Sequence, residues 1–443
     1  MNERVIEQSA SLLAGAHAAL RLSYVFIGFI WMFLRRAPDF STAIISGSKI
    51  DRQRLLGEIV ASTAELLGPV FIKATQMISY RSDLLPSAFL SPLSRLQDNV
   101  EPEPFSVVRS TLERSYGQPL YTVFRRFEPI AIGSGSIACV FLAETNEGNQ
   151  VAVKVTRSNI RLRISHDLKS LRTLVSFLSG LQFVRGIPII DIYTHIADMI
   201  YSQADMEIEA AYLNEISRKQ VRSTRVKVPQ AIHSLVRSDI LVMEYIDDSV
   251  PISHHSISAV NYKNASREVL RTLYDMIFES GLVHCDMHPG NILVSVGGTV
   301  ALVDAGLVSH LSETDRRCFR DFFLSLVFGE SIGCADSIIR ASGYKADKLN
   351  RKEFRKDVSD LINMHHAKSA GDFLVAEFVH QVFMIQRRHK LYGSPGFVSA
   401  IWALVMFEGL VRYRFPELDF QQEAKSYITG SIVDMIRRGG DRH

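Results

Sequence analysis

Residues 281–294 have the sequence GLVHCDMHPGNILV, in which a polar turn separates two apolar runs. The turn holds two histidines together with Asp286 and Asn291. In phosphoryl-transfer enzymes a carboxylate takes the proton of the attacking hydroxyl, and an amide oxygen five residues later binds a metal ion. The spacing of Asp286 and Asn291 matches this arrangement, and the intervening residues 288–290 (HPG) favour a sharp turn.

A second carboxylate follows downstream, in the segment ALVDAGLV. Asp304 stands at the end of an apolar run predicted to be a strand, with Gly306 just beyond it. Such an aspartate is suited to hold the Mg²⁺ that bridges phosphate oxygens. The runs NILVSV and TVALVD, on either side of Gly297-Gly298, predict a hairpin that brings the two acids together.

The upstream half supplies the opposite charge. Lys154 lies in the predicted strand VAVKV, where a buried lysine is costly unless it meets anionic partners such as phosphates and a helix carboxylate. The loop GSGS (Gly133, Ser134, Gly135, Ser136) precedes it, and its backbone N–H groups are candidates for phosphate binding. Glu209, in a predicted helix, is the candidate partner of Lys154.

Each of these signals has a plain structural alternative. Asp286 could cap a turn, Asp304 could end a strand, and Lys154 could extend its amine to solvent. The order of the set favours function, and it includes the acidic strand that ends at Glu244 and Tyr245, which are candidate cofactor-binding residues. It predicts an α+β, two-lobed protein-kinase-like fold with a helical N-terminal extension, an enlarged helical C-lobe, and ATP and Mg²⁺ as cofactors.

The composition fits a large globular chain. The 443 residues are 47% hydrophobic and 22% charged, and the net charge of +3 gives no support for a nucleic-acid partner. The four cysteines lack disulfide or zinc spacing, which indicates reduced thiols in a cytosolic-type compartment. The predicted domains are 1–60, a helical segment with possible membrane contact; 61–120, a helical extension; 121–248, an N-lobe; and 249–443, a helical C-lobe.

The apolar run Leu22–Leu34 is shorter than the roughly 20 residues that cross a bilayer and lies too far along the chain for a signal peptide. It is either a buried core helix or a helix in a membrane interface. Aromatic residues favour the second interpretation, and with it peripheral membrane association of a cytoplasmic protein. These residues are Tyr24, Phe26, Phe29, Trp31 and Phe33.

Two further patterns are predicted to be structural. The pairs His254-His255 and His365-His366 lack a third ligand at metal spacing, which favours exposed histidines. The stripe FVSAIWALVMFEGL is predicted to pack in the core of the helical lobe.

From about Leu66 to about Ile428 the sequence resembles the UbiB/AarF (ADCK-like) family of atypical kinases. The segment LGPVFIKATQ resembles the family's N-terminal Lys-x-Gly-Gln motif, with Lys73 and Gln76 as its ends. The run VAVKVTRSNIRLRISHDLKSLR, the loop HCDMHPGNILV and the helix ALVMFEGLVRYRFPELDF also match. The resemblance implies Asp286 as catalytic residue, Asn291 and Asp304 as metal ligands, and ATPase or small-molecule kinase activity. It further implies a link to membrane lipid and isoprenoid or quinone intermediates, a possible biosynthetic complex, and an extension that covers the active site against protein substrates.

The chain departs from the family pattern in several motifs. The usual Ala-rich loop is Gly133–Ser136 here, which allows closer backbone approach to phosphate. The glycine of Lys-x-Gly-Gln is Thr75. The Glu-x-Asp motif is Gln203-Ala204-Asp205, so only its second acid, Asp205, remains. The Asp-Phe-Gly motif is Asp304-Ala305-Gly306.

Three functions follow as hypotheses. The first is an atypical kinase or ATPase that supports membrane isoprenoid-lipid (ubiquinone-type) biosynthesis. The second is a pseudokinase scaffold that binds nucleotide and organises a membrane-associated complex, as the altered motifs suggest. The third, a conventional protein kinase, is disfavoured because a helical extension precedes the kinase motifs and no Ala-Pro-Glu segment follows Asp304.

Overall fold

The computed structural model describes residues 23, 27, 28, 30–45, 48–79, 81–96, 101–181, 187–219, 226–344, 349–366 and 373–440. The chain forms two compact units. The N-terminal unit is Met1–Met206 with Arg237–Leu241, and the C-terminal unit is Glu207–Val236 with Val242–His443.

The N-terminal unit begins with helices, as the apolar spacing predicts. Ser48 caps the second of them by accepting a hydrogen bond from the Asp51 N–H at 3.1 Å. The fifth ends at Gly117, whose φ of 69° is the left-handed conformation that glycine tolerates best. The helices are α1 (Ala37–Ile45), α2 (Lys49–Leu67), α3 (Pro69–Ser79), α4 (Ser87–Leu93), α5 (Phe105–Tyr116), α6 (Leu120–Val123), α7 (Ile160–Ser179) and α8 (Ile189–Gln203).

A four-stranded sheet follows α6, and its first three strands are antiparallel. Strands β1 (Phe124–Ser134), β2 (Ala138–Thr145) and β3 (Gln150–Thr156) pair in order, and β5 (Ile240–Glu244) lies next to β3. The turn NEGNQ (residues 146–150) joins β2 to β3, with Gly148 at a φ of 86°. The N–H of Thr156 donates to the carbonyl of Asp239 at 2.9 Å, which ties residues 237–241 to this unit.

The extension that carries Lys73 packs within the N-terminal unit. On α3, Val70 and Ala74 are buried in one apolar cluster with Ile164 of α7 and Ile196 of α8. Between α3 and α4, Arg81 and Asp83 form a buried ion pair at 2.7 Å, with their side chains nearly inaccessible. The extension is therefore part of the core of this unit.

The C-terminal unit is mainly helical. A π-helical turn (Met276–Ser280) continues its second helix. Three of its helices begin after a serine whose side chain accepts a hydrogen bond from a backbone N–H of the first turn; these serines are Ser258, Ser312 and Ser394. The helices are α9 (Met206–Lys219), α10 (Ala259–Asp275), α11 (Glu313–Val327), α12 (Ser331–Ala341), α13 (Arg351–His366), α14 (Val375–Arg388), α15 (Pro395–Val411) and α16 (Phe420–Gly440).

Short strands frame the polar loop of this unit. One sheet has the order β4-β9-β8-β6, and two further pairs are β7-β10 and β11-β12. The predicted hairpin around Gly297-Gly298 is confirmed, because β8 and β9 pair antiparallel. The strands are β4 (Val226–Lys227), β6 (Ser249–Pro251), β7 (Leu282–His284), β8 (Ile292–Ser295), β9 (Val300–Leu302), β10 (Val308–His310), β11 (Ser342–Tyr344) and β12 (Tyr392–Gly393).

One side-chain prediction is wrong. His365 is not exposed: its side chain is buried, its Nε2 lies 3.0 Å from Oε1 of Gln381, and Phe378 packs edge-on against its ring. The apolar stripe of α15 does pack in the core, with Phe397, Leu404 and Phe407 buried.

The apolar run 22–34 is described in part. Tyr24, Phe26 and Phe29 lie outside the described residues, whereas Trp31 and Phe33 lie in a helical stretch. Of the helices that the structure describes, none combines the length and the apolar character that a bilayer crossing requires.

Candidate functional site

The polar loop between β7 and β8 owes its shape to a short 3₁₀ turn, Pro289–Asn291. His288 caps it, because its Nδ1 accepts a hydrogen bond from the N–H of Gly290 at 3.0 Å. A β-carbon at Gly290 would lie 2.9 Å from the His288 ring, so a larger residue there would require the imidazole to shift from its capping position. The turn therefore depends on all three residues of the HPG segment.

Asn291 closes the loop. Its Nδ2 donates to the backbone carbonyl of Asp286 at 3.0 Å, and its own carbonyl accepts from the N–H of Val303 at 3.1 Å. The side chain is buried. This contact explains the five-residue spacing: the turn folds back just far enough for the amide to reach Asp286, and Val303 is the neighbour of Asp304.

His284 connects the two candidate acids. Its Nδ1 accepts from the N–H of Asp286 at 3.2 Å, and its Nε2 bonds to the carbonyl of Asp304. These two partners assign the neutral tautomer with hydrogen on Nε2. Burial lowers the pKa of His284, although the carboxylates of Asp286 and Asp304 oppose that shift. The imidazole is therefore a neutral bridge between two loops.

Asp304 follows β9 and turns back on itself. Its Oδ1 accepts a hydrogen bond from the N–H of Gly306 at 2.8 Å, and Ala305 between them is fully buried. Strand β10 then pairs with β7, so the segment after Asp304 returns beside the segment before Asp286. The structure thus brings Asp286, Asn291 and Asp304 together through direct hydrogen bonds and His284.

The chemistry of this donor set fits Mg²⁺. The ion prefers hard oxygen ligands and is bound by one or two protein groups plus phosphate oxygens. An asparagine amide and an aspartate carboxylate, Asn291 and Asp304, provide such ligands. In the described part of the chain no group of three or more His, Cys, Asp or Glu side chains is arranged to hold a metal alone. His288 adds a further polar atom near the site, with its Nε2 4.0 Å from Oδ2 of Asp286.

In the N-terminal unit the glycine loop and the strand lysine share one sheet. Gly133 pairs with Val140 and Val140 pairs with Lys154, so the three residues form one row across β1, β2 and β3. Adjacent strands lie about 4.8 Å apart, which places Lys154 roughly 10 Å from the start of the loop. Lys154 is 9% exposed. The pairing thus sets the glycine loop and the buried lysine at one end of the sheet.

Arg157 is a loop-positioning residue that the sequence analysis missed. Its Nε donates to the carbonyl of Gly135 at 2.9 Å, and its Nη2 donates to Oγ of Ser134 at 3.0 Å and to the carbonyl of Glu101 at 2.8 Å. The planar guanidinium therefore joins the glycine loop to the residues before α5. The one sequence feature that could have indicated this role is its position directly after the strand that carries Lys154.

The remaining predicted residues lie elsewhere in the two units. Glu209 is fully buried in α9 of the C-terminal unit. Glu244 accepts from the N–H of Gln230 at 3.2 Å and pairs with Lys227 at 3.4 Å, and Tyr245 follows it. The pairing of Lys154 with Glu209, and the cofactor roles of Glu244 and Tyr245, stay predictions.

The family-motif residues Lys73, Gln76 and Asp205 all belong to the N-terminal unit. Gln76 donates from Nε2 to the carbonyl of Leu96 at 2.9 Å. The carboxylate of Asp205, predicted to be the remaining counter-charge of Lys73, forms an ion pair with Arg161 of α7. Asp205 thus has a cationic partner within its own unit, and its pairing with Lys73 stays a prediction.

Comparison with known proteins places these observations in a family. Residues 95–338, more than half of the chain, match the model of the ABC1 atypical kinase-like domain. An uncharacterised protein of Synechocystis sp. is 26% identical over 82% of this chain and 92% of its own length. Two proteins named probable protein kinase UbiB are each 28% identical to this chain. The match to the Tolumonas auensis protein covers 82% of this chain and 68% of that protein. The match to the Sodalis glossinidius protein covers 87% of this chain and 72% of that protein.

A Mycobacterium tuberculosis protein solved in complex with erythromycin has a similar chain trace, with a TM-score of 0.47, 18% identity, and coverage of 73% of this chain and 85% of its own. The family match confirms the predicted α+β, helix-rich, kinase-like fold class. This chain belongs to the ABC1 family of atypical kinase-like proteins.

Proposed function

We propose that this protein is a UbiB-like atypical kinase or ATPase that binds ATP with Mg²⁺ and supports membrane isoprenoid-lipid biosynthesis of the ubiquinone type. The observation that carries the proposal is the hydrogen-bonded cluster of Asp286, His284, Asn291 and Asp304. Asp286 follows β7 and Asp304 follows β9, and the hydrogen bonds of the cluster hold these two strand ends together. A turn with a purely structural role would not need a carboxylate at both strand ends.

Each residue has a distinct role in this proposal. Asp286 accepts the proton of the attacking hydroxyl or water. Asn291 and Asp304 would hold Mg²⁺, which would neutralise charge on the phosphate oxygens. The loop Gly133–Ser136 offers backbone N–H groups to the phosphates, Lys154 pairs with their charge, and Glu209 orients Lys154. Arg157 positions the loop by holding Gly135 and Ser134.

ATP turnover by the 443-residue protein, with Mg²⁺ and lipid vesicles, tests the proposal. Asp286→Asn should lower turnover by about 100-fold or more, because general-base catalysis contributes at least that much. Asp304→Asn should also lower turnover and should raise the Mg²⁺ concentration required. The matched control is Asp360→Asn, an exposed aspartate on α13, which should leave turnover unchanged. Equal turnover in wild type and both site variants would contradict the proposal.

The second candidate is a scaffold that binds nucleotide without turning it over and organises a membrane-associated complex. The altered motifs support it: Ala305 replaces the phenylalanine of Asp-Phe-Gly, Thr75 the glycine of Lys-x-Gly-Gln, and Gln203 the first acid of Glu-x-Asp. It predicts that ATP raises the melting temperature of the protein while no phosphate is released. Lys154→Ala should remove that stabilisation under either candidate, and turnover distinguishes them.

A further inference from the structure

The two histidines of the polar loop between β7 and β8 have different environments. His284 is 1% exposed, and both of its ring nitrogens are hydrogen-bonded within the protein. The side chain of His288 is 46% exposed, and that of Asp286 is 19% exposed. Of the two imidazoles, that of His288 is therefore the one that a bound molecule can reach.

The turn that follows His288 holds its ring in one orientation. Its Nδ1 accepts the hydrogen bond from the N–H of Gly290 at 3.0 Å, and its backbone carbonyl accepts from the N–H of Asn291 at 3.0 Å. The imidazole lies against the backbone of Gly290, where a β-carbon would come within 2.9 Å of the ring carbon Cε1. A donor that is fixed in this way needs little rearrangement when a ligand binds.

The hydrogen bond to Nδ1 decides which ring nitrogen carries the proton. A nitrogen that accepts an N–H uses its lone pair, so the hydrogen of the neutral ring is on Nε2. This nitrogen lies 4.0 Å from Oδ2 of Asp286, which is too far for a direct hydrogen bond but suits two groups that contact one bound molecule. His288 therefore presents a neutral N–H donor beside the carboxylate of Asp286.

The proposed role of Asp286 indicates what lies within reach of this donor. The carboxylate of a general base lies about 2.6–3.2 Å from the attacking oxygen, and that oxygen lies about 3–3.5 Å from the phosphorus. The nearest oxygens of the terminal phosphoryl group are then about 4–5 Å from the carboxylate, and they carry negative charge during the transfer. A donor 4.0 Å from Oδ2 of Asp286 is placed to bond to one of them.

We propose that Nε2 of His288 donates a hydrogen bond to an oxygen of the terminal phosphoryl group of ATP, and that His288 thereby distinguishes a nucleoside triphosphate from a diphosphate. This inference rests on the proposed function. The imidazole transfers no proton: Asp286 takes the proton of the attacking group, and His288 keeps its own while it stabilises charge on the phosphate.

Two substitutions separate this role from the capping of the turn. His288→Asn keeps an acceptor for the N–H of Gly290, because an asparagine oxygen bonds to the N–H two residues later, but it places no donor as far out as Nε2. His288→Gln keeps a donor at that reach and loses the cap. The matched control is His255→Asn, at an exposed position elsewhere in the C-terminal unit.

Calorimetric titration of the 443-residue protein with Mg²⁺ and either ADP or the β,γ-imido analogue of ATP tests the inference. The analogue has the terminal phosphate oxygens but is not cleaved. His288→Asn should lower the affinity for the analogue by about tenfold or more, the contribution of a hydrogen bond to a charged group, and should leave ADP affinity and the melting temperature unchanged. His288→Gln should lower the melting temperature but keep most of the wild-type ratio of the two affinities. His255→Asn should behave as wild type.

The possible results separate this inference from the proposed function. If His288→Asn binds both nucleotides as wild type does, His288 only caps the turn and the inference is wrong, whereas the proposed nucleotide binding stands. An equal loss of affinity for the analogue and for ADP would also contradict the inference, because His288 would then act through the shape of the loop. If wild type binds neither nucleotide, the proposed function fails, and the inference fails with it.

Discussion

His284 shows how a single buried side chain can hold a site together. It meets Asp286 through Nδ1 and Asp304 through Nε2, and protonation would remove the acceptor that the Asp286 N–H uses. Burial, the largest influence, lowers the pKa of the folded protein's imidazole below the usual 6.5. In the unfolded chain the same histidine takes a proton as the pH falls through that value.

The pH dependence of stability follows from this difference. Below about pH 6.5 the unfolded chain binds more protons than the native one, so the free energy of unfolding falls as the pH falls. His284→Gln keeps a donor and an acceptor but cannot titrate. We expect its urea-unfolding free energy to fall less between pH 7 and pH 5.5 than that of wild type, by up to about 1.4 kcal/mol per pH unit. His255→Gln, at an exposed position, should follow wild type. Identical pH profiles for wild type and His284→Gln would contradict the neutral bridge.

The two glycines of the 133–136 loop are not required by the fold of the free protein. A β-carbon at Gly133 would lie 3.7 Å from Val140, and one at Gly135 would lie 3.7 Å from the carbonyl of Ala138. Both are ordinary contacts, and neither residue has a positive φ. The packing of the free protein therefore does not explain why glycine occupies these two positions. We propose that glycine is needed because phosphate approaches the backbone of the loop.

Gly135→Ala should consequently separate binding from stability. We expect thermal stability to be unchanged or raised by up to about 1 kcal/mol, because alanine restricts the unfolded chain. ATP affinity, measured by calorimetry with Mg²⁺, should fall by roughly threefold to tenfold, the equivalent of one lost backbone hydrogen bond. Gly117→Ala is the reverse control: its φ of 69° makes alanine cost about 1 kcal/mol, and ATP affinity should not change. Undiminished ATP affinity in Gly135→Ala would place the phosphates away from this loop.

At the scale of elements, a buried carboxylate fixes the start of α14. Glu408, on α15, is 3% exposed; its two oxygens accept from the N–H groups of Val375 and Ala376, each at 2.8 Å. Arg412 adds a cation 3.5 Å away. The carboxylate therefore satisfies two of the unpaired N–H groups of a helix start and meets the positive end of its dipole.

Glu408→Gln should loosen this junction. The amide retains one acceptor oxygen but presents its NH₂ group to the second N–H, so we expect a loss of about 1–3 kcal/mol in the free energy of unfolding by urea. Glu417→Gln tests the same chemical change at an exposed glutamate that pairs with Lys263, and its effect should be much smaller. Equal effects of the two substitutions would mean that α14 does not depend on the carboxylate.

These elements also show what the sequence could predict. Local signals were sufficient for the β8–β9 hairpin and for the turn that joins Asp286 to Asn291, because each depends on neighbours within a few residues. The roles of Glu408, Arg157 and His365 depend on partners brought from distant parts of the chain. Periodicity carries no information about such partners, and His365 was therefore predicted wrongly to be exposed.

At the scale of the whole molecule, the sequence predicted the fold class from the order of its motifs, and the family match confirms it. The order of the motifs is informative because each motif lies at the end of a helix or strand. The order of helices and strands along the chain therefore indicates which motif residues belong to the same unit. It could not reveal that α11, α14 and α15 pack around an apolar cavity, because no local sequence pattern encodes that space.

Residues 27–34 form an exposed apolar helix face, which we predict to contact a membrane. Ile27, Ile30, Trp31 and Leu34 follow helical spacing and are 63%, 54%, 51% and 64% exposed. Gly28, on the other side, is buried next to Leu66 of α2. Arg35 lies 5.4 Å above the ring of Trp31. An apolar helix face beside arginines is the pattern of helices that lie in a membrane interface, and it supports the proposed peripheral association.

Binding to sedimented vesicles that contain anionic lipid tests this surface. Burial of one large apolar side chain contributes about 1.5–3 kcal/mol, so replacing Trp31 and Leu34 together by serine should lower the fraction bound at least roughly tenfold. Raising the salt concentration should weaken binding of wild type further, because Arg35 contributes through charge. Tyr413→Ser is the control: this aromatic residue of the C-terminal unit is 94% exposed, and its loss should not alter binding. If the double variant sediments with vesicles as wild type does while Tyr413→Ser does not, the membrane-facing surface belongs to the C-terminal unit and not to residues 27–35.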